Sequence, residues 1–173
     1  MIRLLILAMS TMVFFSASGQ NFDYDTAWKR VGQLRKERKP QSAIDLLKTI
    51  GEAAKTEKRS DQQIKVFGTI PTFIQQKSPQ NSLDHLSYLK EEITQFSSPE
   101  KQIAHFVYFQ YLLDYYNRNQ YLIQDRTATT DISPDDLRLW TQKDFEEALL
   151  GHLEASLDQP GDMQKPIDNY KTL

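Results

Sequence analysis

Apolar side chains recur three and four residues apart along most of this chain, which is the spacing of one face of an α-helix. The first series is Trp28, Val31 and Leu34. Later series comprise Ala43, Ile44, Leu47, Ile50 and Ala54; Ile64, Phe67, Ile70 and Ile74; Leu83, Leu86, Leu89, Ile93 and Phe96; residues 106–116; and Phe145, Leu149, Leu153 and Leu157. No stretch alternates apolar and polar residues as a β-strand does. The pattern predicts an all-α protein, an array of about six antiparallel helices.

Prolines and small polar residues predict where these helices begin. Pro40 opens the second helix, at a position where its missing N–H costs nothing. Pro71 lies inside the third series and should kink or interrupt that helix. Capping side chains are predicted at Asp23 or Asp25, at Ser60 (with Gln63), at Ser97 (with Glu100) and at Thr141 (with Asp144).

The first two helices resemble a tetratricopeptide-type helical hairpin. Trp28 and Val31 stand where the first helix of that repeat packs inward, and Ala43, Leu47 and Ile50 reproduce the apolar spacing of its second helix. The interval from Trp28 to Ala43 is one residue shorter than in the usual repeat, and no clean second copy follows. We therefore expect tetratricopeptide-like hairpins rather than a regular repeat.

The stretch from Ser97 to Trp140 contains the most apolar helix of the chain. Between Phe106 and Tyr116 only Gln110 and Asp114 are polar. A helix that is apolar over most of its circumference belongs in the middle of a helical assembly. The sequence thus predicts that protein covers most of this helix.

The two ends of the chain differ from its middle. Residues 1–19 have the pattern of a secretory signal peptide: Arg3, an apolar run over residues 4–15, and small residues before a cleavage site after Gly19. The alternative is an uncleaved N-terminal anchor. We expect a helical domain over residues 20–158, a loop or tail over residues 159–173, and an exported protein in the periplasm or outside the cell, without stable membrane insertion after cleavage.

Charge and composition exclude several classes of function. Cleavage after residue 19 would remove Arg3 and leave 20 basic and 23 acidic side chains, a net charge of −3. Nucleic acid is not an expected partner, because phosphate binding needs a clustered positive surface. The chain has no cysteine, which excludes disulfides and thiol chemistry.

The residues that could carry catalysis or hold a metal are scattered. His85, His105 and His152 match no metal-ligand spacing. Glu146–Glu147 and Asp135–Asp136 are neighbours in sequence, so each pair points to different faces of a helix. There is no nucleophile elbow and no glycine-rich phosphate loop. We therefore expect no enzyme activity, no cofactor and no metal.

The exit of the central helix combines aromatic and charged side chains. Its tyrosines at 108, 111, 115, 116 and 121 are expected to be core residues, with a ligand-binding face as the alternative. Arg118 and Arg126 lie close in sequence to Asp114 and Asp125. The sequence predicts a structural, salt-bridged corner there that orients the next helix. The residues of this candidate interface or corner are Tyr116, Asn117, Arg118, Tyr121, Asp125 and Arg126.

Several segments resemble the N-terminal helical region of the alpha-2-macroglobulin-like proteins of Bacteroidetes. The resemblance is carried by residues 24–47 around Trp28, by the run FQYLLDYYNRNQYLIQDRT at 109–127, by Asp131-Ile132, Trp140, Asp144-Phe145 and Ala155-Ser156-Leu157, and by Ile167-Asp168-Asn169-Tyr170-Lys171. It implies an exported helical region placed ahead of macroglobulin domains in a protease-trapping protein. The chain ends before any macroglobulin domain, bait region or thioester motif, so inhibitory activity is not expected of it alone.

These features together predict a non-enzymatic, exported helical interaction module. Its partner would be a protein, either the following macroglobulin domains or another exported protein. Two alternatives remain from the sequence. One is a small secreted enzyme that uses a carboxylate such as Asp125 or Glu147, and the other is a helical scaffold that binds a peptide or small ligand on a tyrosine-lined face.

Overall fold

A computed structural model describes residues 22–78, 83–126 and 136–158. These residues form six helices and no strand: α1 Tyr24–Lys36, α2 Pro40–Thr56, α3 Ser60–Lys77, α4 Asp84–Ile93, α5 Glu100–Gln124 and α6 Gln142–Leu157. Each helix packs on the next in the chain. The prediction of an all-α array of about six helices is confirmed. The predicted signal peptide (1–19), the whole of the predicted tail (159–173) and residues 127–135 lie outside the described residues.

Two nearly identical connectors join the first three helices. Each has three residues, Glu37-Arg38-Lys39 and Glu57-Lys58-Arg59, and the two lie twenty positions apart in the chain. In both, the middle residue has a positive φ, 54° at Arg38 and 55° at Lys58. In both, the last residue donates its N–H back into the preceding helix, from Lys39 to the Leu34 carbonyl and from Arg59 to the Ala54 carbonyl. The same turn is therefore used twice, although the flanking helices differ in sequence.

The predicted helix starts are correct at some positions and wrong at others. Asp23 caps α1 by accepting from the Thr26 N–H at 3.0 Å, and Pro40 is the first residue of α2. Thr141 and Asp144 form the predicted capping box of α6. Ser60 instead lies inside α3, where the connector already turns the chain, so no side chain caps that helix. A helix does begin at Glu100, as the segment 97–100 predicts, but the cap at Ser97 is wrong, because Pro99 immediately precedes α5 and no side chain caps it. The fourth helix ends at Ile93, before Phe96.

The buried side chains form two clusters that meet at α3. One cluster joins α1 and α2 to Val66, Ile70 and Phe73 of α3. The other joins α4, α5, α6 and Leu137 to Ile64 and Phe67. Among the described helices, α3 alone contributes fully buried side chains to both clusters. It therefore connects the two halves of the protein.

Pro71 does not interrupt α3, which runs continuously from Ser60 to Lys77 with Pro71 buried inside it. A proline in a helix interior removes one backbone donor. Hydroxyl groups bond to carbonyls of the adjoining turn: Thr72 donates to Thr69 at 2.8 Å, and Tyr111 of α5 donates to the Gly68 carbonyl at 3.3 Å. These bonds help a proline-containing helix to stay continuous at the centre of the fold.

The described helices bury less of the α5 surface than its sequence predicts. Ala104, Tyr108, Leu112 and Tyr115 are buried on one side of the helix. Phe106, however, is 43% exposed and stacks on Phe109 at 6.2 Å between ring centroids. Apolar residues thus extend around α5 onto its outer face, where the described residues do not cover them.

A polar network fastens α1 to the start of α3. The Trp28 indole N–H donates to the Gln62 side-chain oxygen at 2.7 Å, and Gln62 donates to the Asp61 carboxylate at 3.2 Å. Arg59 binds the same carboxylate through two nitrogens, at 3.0 and 2.8 Å. Gln62 and Asp61 are buried, so each of these bonds supplies a hydrogen-bond partner to a polar group that is shielded from water. None of the helices in the described residues is long and apolar enough to cross a membrane.

The positive φ of Lys58 gives a stability prediction. A residue with a Cβ in this conformation costs roughly 1 kcal/mol relative to glycine. Lys58→Gly is therefore expected to leave the free energy of unfolding unchanged or to raise it by up to about 1 kcal/mol in urea titrations. Lys29→Gly, an exposed site inside α1, is the matched control and should lower it by about 0.5 to 1 kcal/mol. Equal losses in both variants would contradict the argument.

Candidate functional site

The clearest concave feature in the described residues is a groove that runs over α3 between α2 and α4. The backbones of α2 and α4 do not come into contact, which leaves the outer side of α3 open between them. The groove encloses about 350 Å³. Val66, Phe67 and Ile70 of α3 form its floor. We call this feature the α3 groove.

The walls of the α3 groove differ in chemistry. On the α4 side Tyr88 and Phe96 continue the apolar floor, and the Phe96 ring meets Phe67 edge-on at 5.2 Å between centroids. Burial, with a smaller contribution from Glu92, raises the pKa of the Tyr88 phenol far above its ordinary value. Its hydroxyl therefore stays protonated and can serve as a hydrogen-bond donor at the groove.

The rim of the groove carries charges of both signs. Lys48, Glu52 and Lys55 lie along α2, and Glu92 lies across the groove on α4. None of these four side chains forms an ion pair with another described residue. Gly51 stands between them, and a Cβ at this position would only touch Val66 at an ordinary 3.5 Å. The groove wall could thus carry a side chain there without displacing the floor.

The predicted corner at the end of α5 is built largely around Arg126. Its guanidinium donates to the carbonyl of Trp140 at 3.0 Å and to that of Leu137 at 3.3 Å. Arg126 thereby ties the end of α5 to the turn that leads into α6. Asp125 is exposed, and the helix ends there with the backbone N–H of Arg126 donating to the Ile123 carbonyl at 3.1 Å. The recorded partners of Arg126 are carbonyl oxygens, not the Asp125 carboxylate that a salt-bridged corner would use.

The other residues of the predicted corner do not converge on one site. Arg118 pairs with Asp114 at 3.0 Å on the open surface of α5, and Asn117 is exposed beside it. Tyr116 is half-buried and packs on Phe145 at 5.6 Å between ring centroids. Tyr121 is 81% exposed. Surface ion pairs such as Arg118–Asp114 contribute little stability, so Arg126 is the residue that organises the corner.

The remaining tyrosines of α5 do not form a shared ligand face. Tyr108 and Tyr115 are buried in the core, and burial raises the pKa of Tyr108 to about 12. Tyr111 is half-buried and bonds to α3. The tyrosine at the α3 groove is Tyr88, which the sequence did not single out.

The three histidines occupy two environments. His85 is buried on α4, where its Nε2 lies 3.0 Å from the side-chain nitrogen of Gln75, and burial lowers its pKa to about 4. His105 of α5 and His152 of α6 face each other, with 2.9 Å between their Nδ1 atoms. This pair could not be predicted from any local pattern, because 47 positions separate the two residues. No group of three or more metal-binding side chains occurs among the described residues.

The carboxylates considered for an enzyme lie on open surfaces. Glu147 is 66% exposed and pairs with Lys143 at 3.4 Å. Asp125 is exposed at the end of α5. Neither lines the α3 groove. General acid–base catalysis needs a carboxylate positioned against a bound substrate, whereas these two carboxylates lie on the surface.

Comparisons of the chain with protein-family models, with curated proteins and with solved structures gave no match. The resemblance to alpha-2-macroglobulin-like proteins and the likeness to tetratricopeptide hairpins therefore stay predictions. The case for a function depends on the geometry of the chain itself.

The role of Arg126 can be tested by substitution. Arg126→Met keeps much of the apolar stem but loses both bonds to carbonyls, so the free energy of unfolding should fall by about 1 to 3 kcal/mol in urea titrations. Arg118→Met removes an exposed ion pair from the same helix and should change it by less than about 0.5 kcal/mol. Similar effects of the two substitutions would show that Arg126 does not organise the corner.

Proposed function

We propose that this chain is a non-enzymatic, exported helical interaction module that holds a segment of a protein partner in the α3 groove. The observation that carries the proposal is the groove itself, whose floor is formed by the largely buried apolar side chains Val66, Phe67 and Ile70 of the helix that joins the two core clusters. Ligand sites are typically concave and largely apolar, with a few polar groups that set orientation. The α3 groove has this composition.

The size of the groove favours a segment of polypeptide with one or two apolar anchors. A volume of about 350 Å³ accommodates one or two large side chains. Complete burial of each contributes roughly 1.5 to 3 kcal/mol, of which part offsets the ordering of the segment. The free energy of burial that remains after the segment has been ordered corresponds to an affinity in the micromolar range, as is common for peptide recognition.

The rim charges indicate which residues should flank the anchor. The α2 wall carries Lys48, Glu52 and Lys55, a net positive charge that would attract an acidic residue. Glu92 on the α4 wall would attract a basic one. Opposite charges at an interface set orientation and speed association more than they add affinity. The preferred segment is therefore an aromatic or aliphatic anchor with acidic and basic neighbours on opposite sides.

The sequence resemblance agrees with this proposal without testing it. A helical region that precedes other domains in an exported trap would bind its neighbours, or a second exported protein, through a surface of this kind. The signal-like pattern of residues 1–19 supports an encounter in the periplasm or outside the cell. No catalytic chemistry is needed for such a role.

The groove can be tested with a variant that fills it. A library of displayed peptides would be selected on the chain that begins at residue 20, and binders would be measured by titration calorimetry. Gly51→Leu places an apolar side chain in the groove from the α2 wall and should weaken binding at least tenfold, because the anchor and the new side chain compete for one space. Circular dichroism would show whether the helices are intact.

Two matched variants make the result specific. Gly51→Ala adds only the Cβ, which fits beside Val66, and should bind as the parent does. Gly32→Leu makes the same change on exposed α1, outside the groove, and should also bind normally. Peptides that bind Gly51→Leu as tightly as the parent, or a selection that enriches no peptide, would contradict the proposal.

A further inference from the structure

We propose that the His105–His152 contact is an acid-sensitive latch that holds α6 against α5 at neutral pH and releases it on acidification. The two Nδ1 atoms are 2.9 Å apart, and the ring centroids are 5.1 Å apart. At that distance one nitrogen must donate a hydrogen and the other must accept it. The contact therefore requires at least one ring to be neutral, and a second added proton removes the acceptor.

Among the described residues, the charged side chains outside the pair that act on it are two lysines. The positive charge of Lys101 on α5 lowers the pKa of His105, and that of Lys90 on α4 lowers the pKa of His152. Tyr108 of α5 meets the His152 ring edge-on at 4.5 Å between centroids. From the described part of the chain no carboxylate contributes to the electrostatics of either ring. Two imidazolium rings here would repel each other and both lysines.

The same geometry argues against a metal site. Two nitrogens bound to one zinc ion at about 2.0 to 2.1 Å in tetrahedral geometry lie about 3.3 Å apart, further than the nitrogens of this pair. Two lysines beside the rings would also oppose a divalent cation. A proton is the ligand that fits between these two histidines.

The position of the pair explains why it would act on α6. Among the described helices, the backbone of α6 packs on α5 alone. His152 lies on the inward face of α6, one turn beyond the buried Leu149. Loss of the contact thus weakens the single interface that holds this helix, while α1 to α4 keep their own contacts.

The direction of the pH effect follows from the pKa changes. Burial, the His105 ring and Lys90 lower the pKa of His152 to about 4, and burial and Lys101 lower that of His105. A histidine whose pKa is lowered when α6 packs on α5 binds fewer protons in that packed state than when α6 is released. Higher pH therefore favours the packing of α6 on α5. The interface is at full strength above about pH 6.5, the ordinary histidine value, and weakens as the pH falls toward 4.

Hydrogen exchange measured by mass spectrometry tests the latch on the chain that begins at residue 20. After correction for intrinsic exchange rates, protection of α6 amides should fall about tenfold to a hundredfold between pH 7 and pH 4.5, relative to α2 amides. Above pH 4.5 the Asp144 cap of α6 remains ionised, because hydrogen bonds from Thr141 lower its pKa. An α6-to-α2 ratio that does not change with pH would overturn the proposal.

Two variants separate the pair from other histidines. His105→Gln leaves a donor for His152 but only one titrating ring, so the fall in α6 protection should shrink by at least several-fold. His85→Gln removes a histidine that also has a pKa of about 4 but lies on α4, and the pH response of α6 should persist. The opposite pattern would assign the response to His85.

Nuclear magnetic resonance of the histidine rings gives a readout that needs no variant. At pH 7 one ring of the pair should carry its proton on Nδ1 and the other should have a bare Nδ1. On acidification the pair should take up protons in two separate steps, with the second below the ordinary histidine range. Two independent titrations near pH 6.5 would overturn the latch.

Discussion

The burial of α3 on two sides is the constraint on which the rest of the structure depends. Val66, Ile70 and Phe73 pack into the α1–α2 cluster, and Ile64 and Phe67 pack into the α4–α6 cluster. A helix that is buried on two sides must be apolar on both of them, and the helices that cover these two sides must fit around it. Because α2 and α4 occupy different sides of α3 without contacting each other, the groove between them follows from the same arrangement that forms the core.

Much of the fold could be predicted from the sequence, because helical spacing of apolar residues reports directly on which face is buried. The series in α1 and α2 were correct in position and face, as were the caps at Asp23 and Thr141. The series in α6 was correct at Phe145 and Leu149 but wrong at Leu157, which is 69% exposed at the end of the helix. The spacing does not say how many neighbours a helix has. The apolar run in α5 therefore suggested the central position, whereas α3, whose series contains a proline, connects the two clusters.

The candidate site was not predictable in the same way. The sequence directed attention to the end of α5, where aromatic and charged residues follow one another, and Arg126 there bonds to carbonyls that hold the turn before α6. The α3 groove and the His105–His152 pair combine residues from different helices that no local pattern links. Only the repeated Glu-basic-basic connectors, twenty residues apart, gave a local sign of how the first helices are arranged.

The most direct test of the proposed function is photo-crosslinking in cells that express the protein. A photoreactive residue would replace Gln95, which is exposed at the groove, or Lys29, which is exposed on α1. The account predicts one discrete protein adduct from position 95, which disappears when Gly51→Leu fills the groove, and none from position 29. An adduct that persists in the filled groove, or equal adducts from both positions, would contradict it.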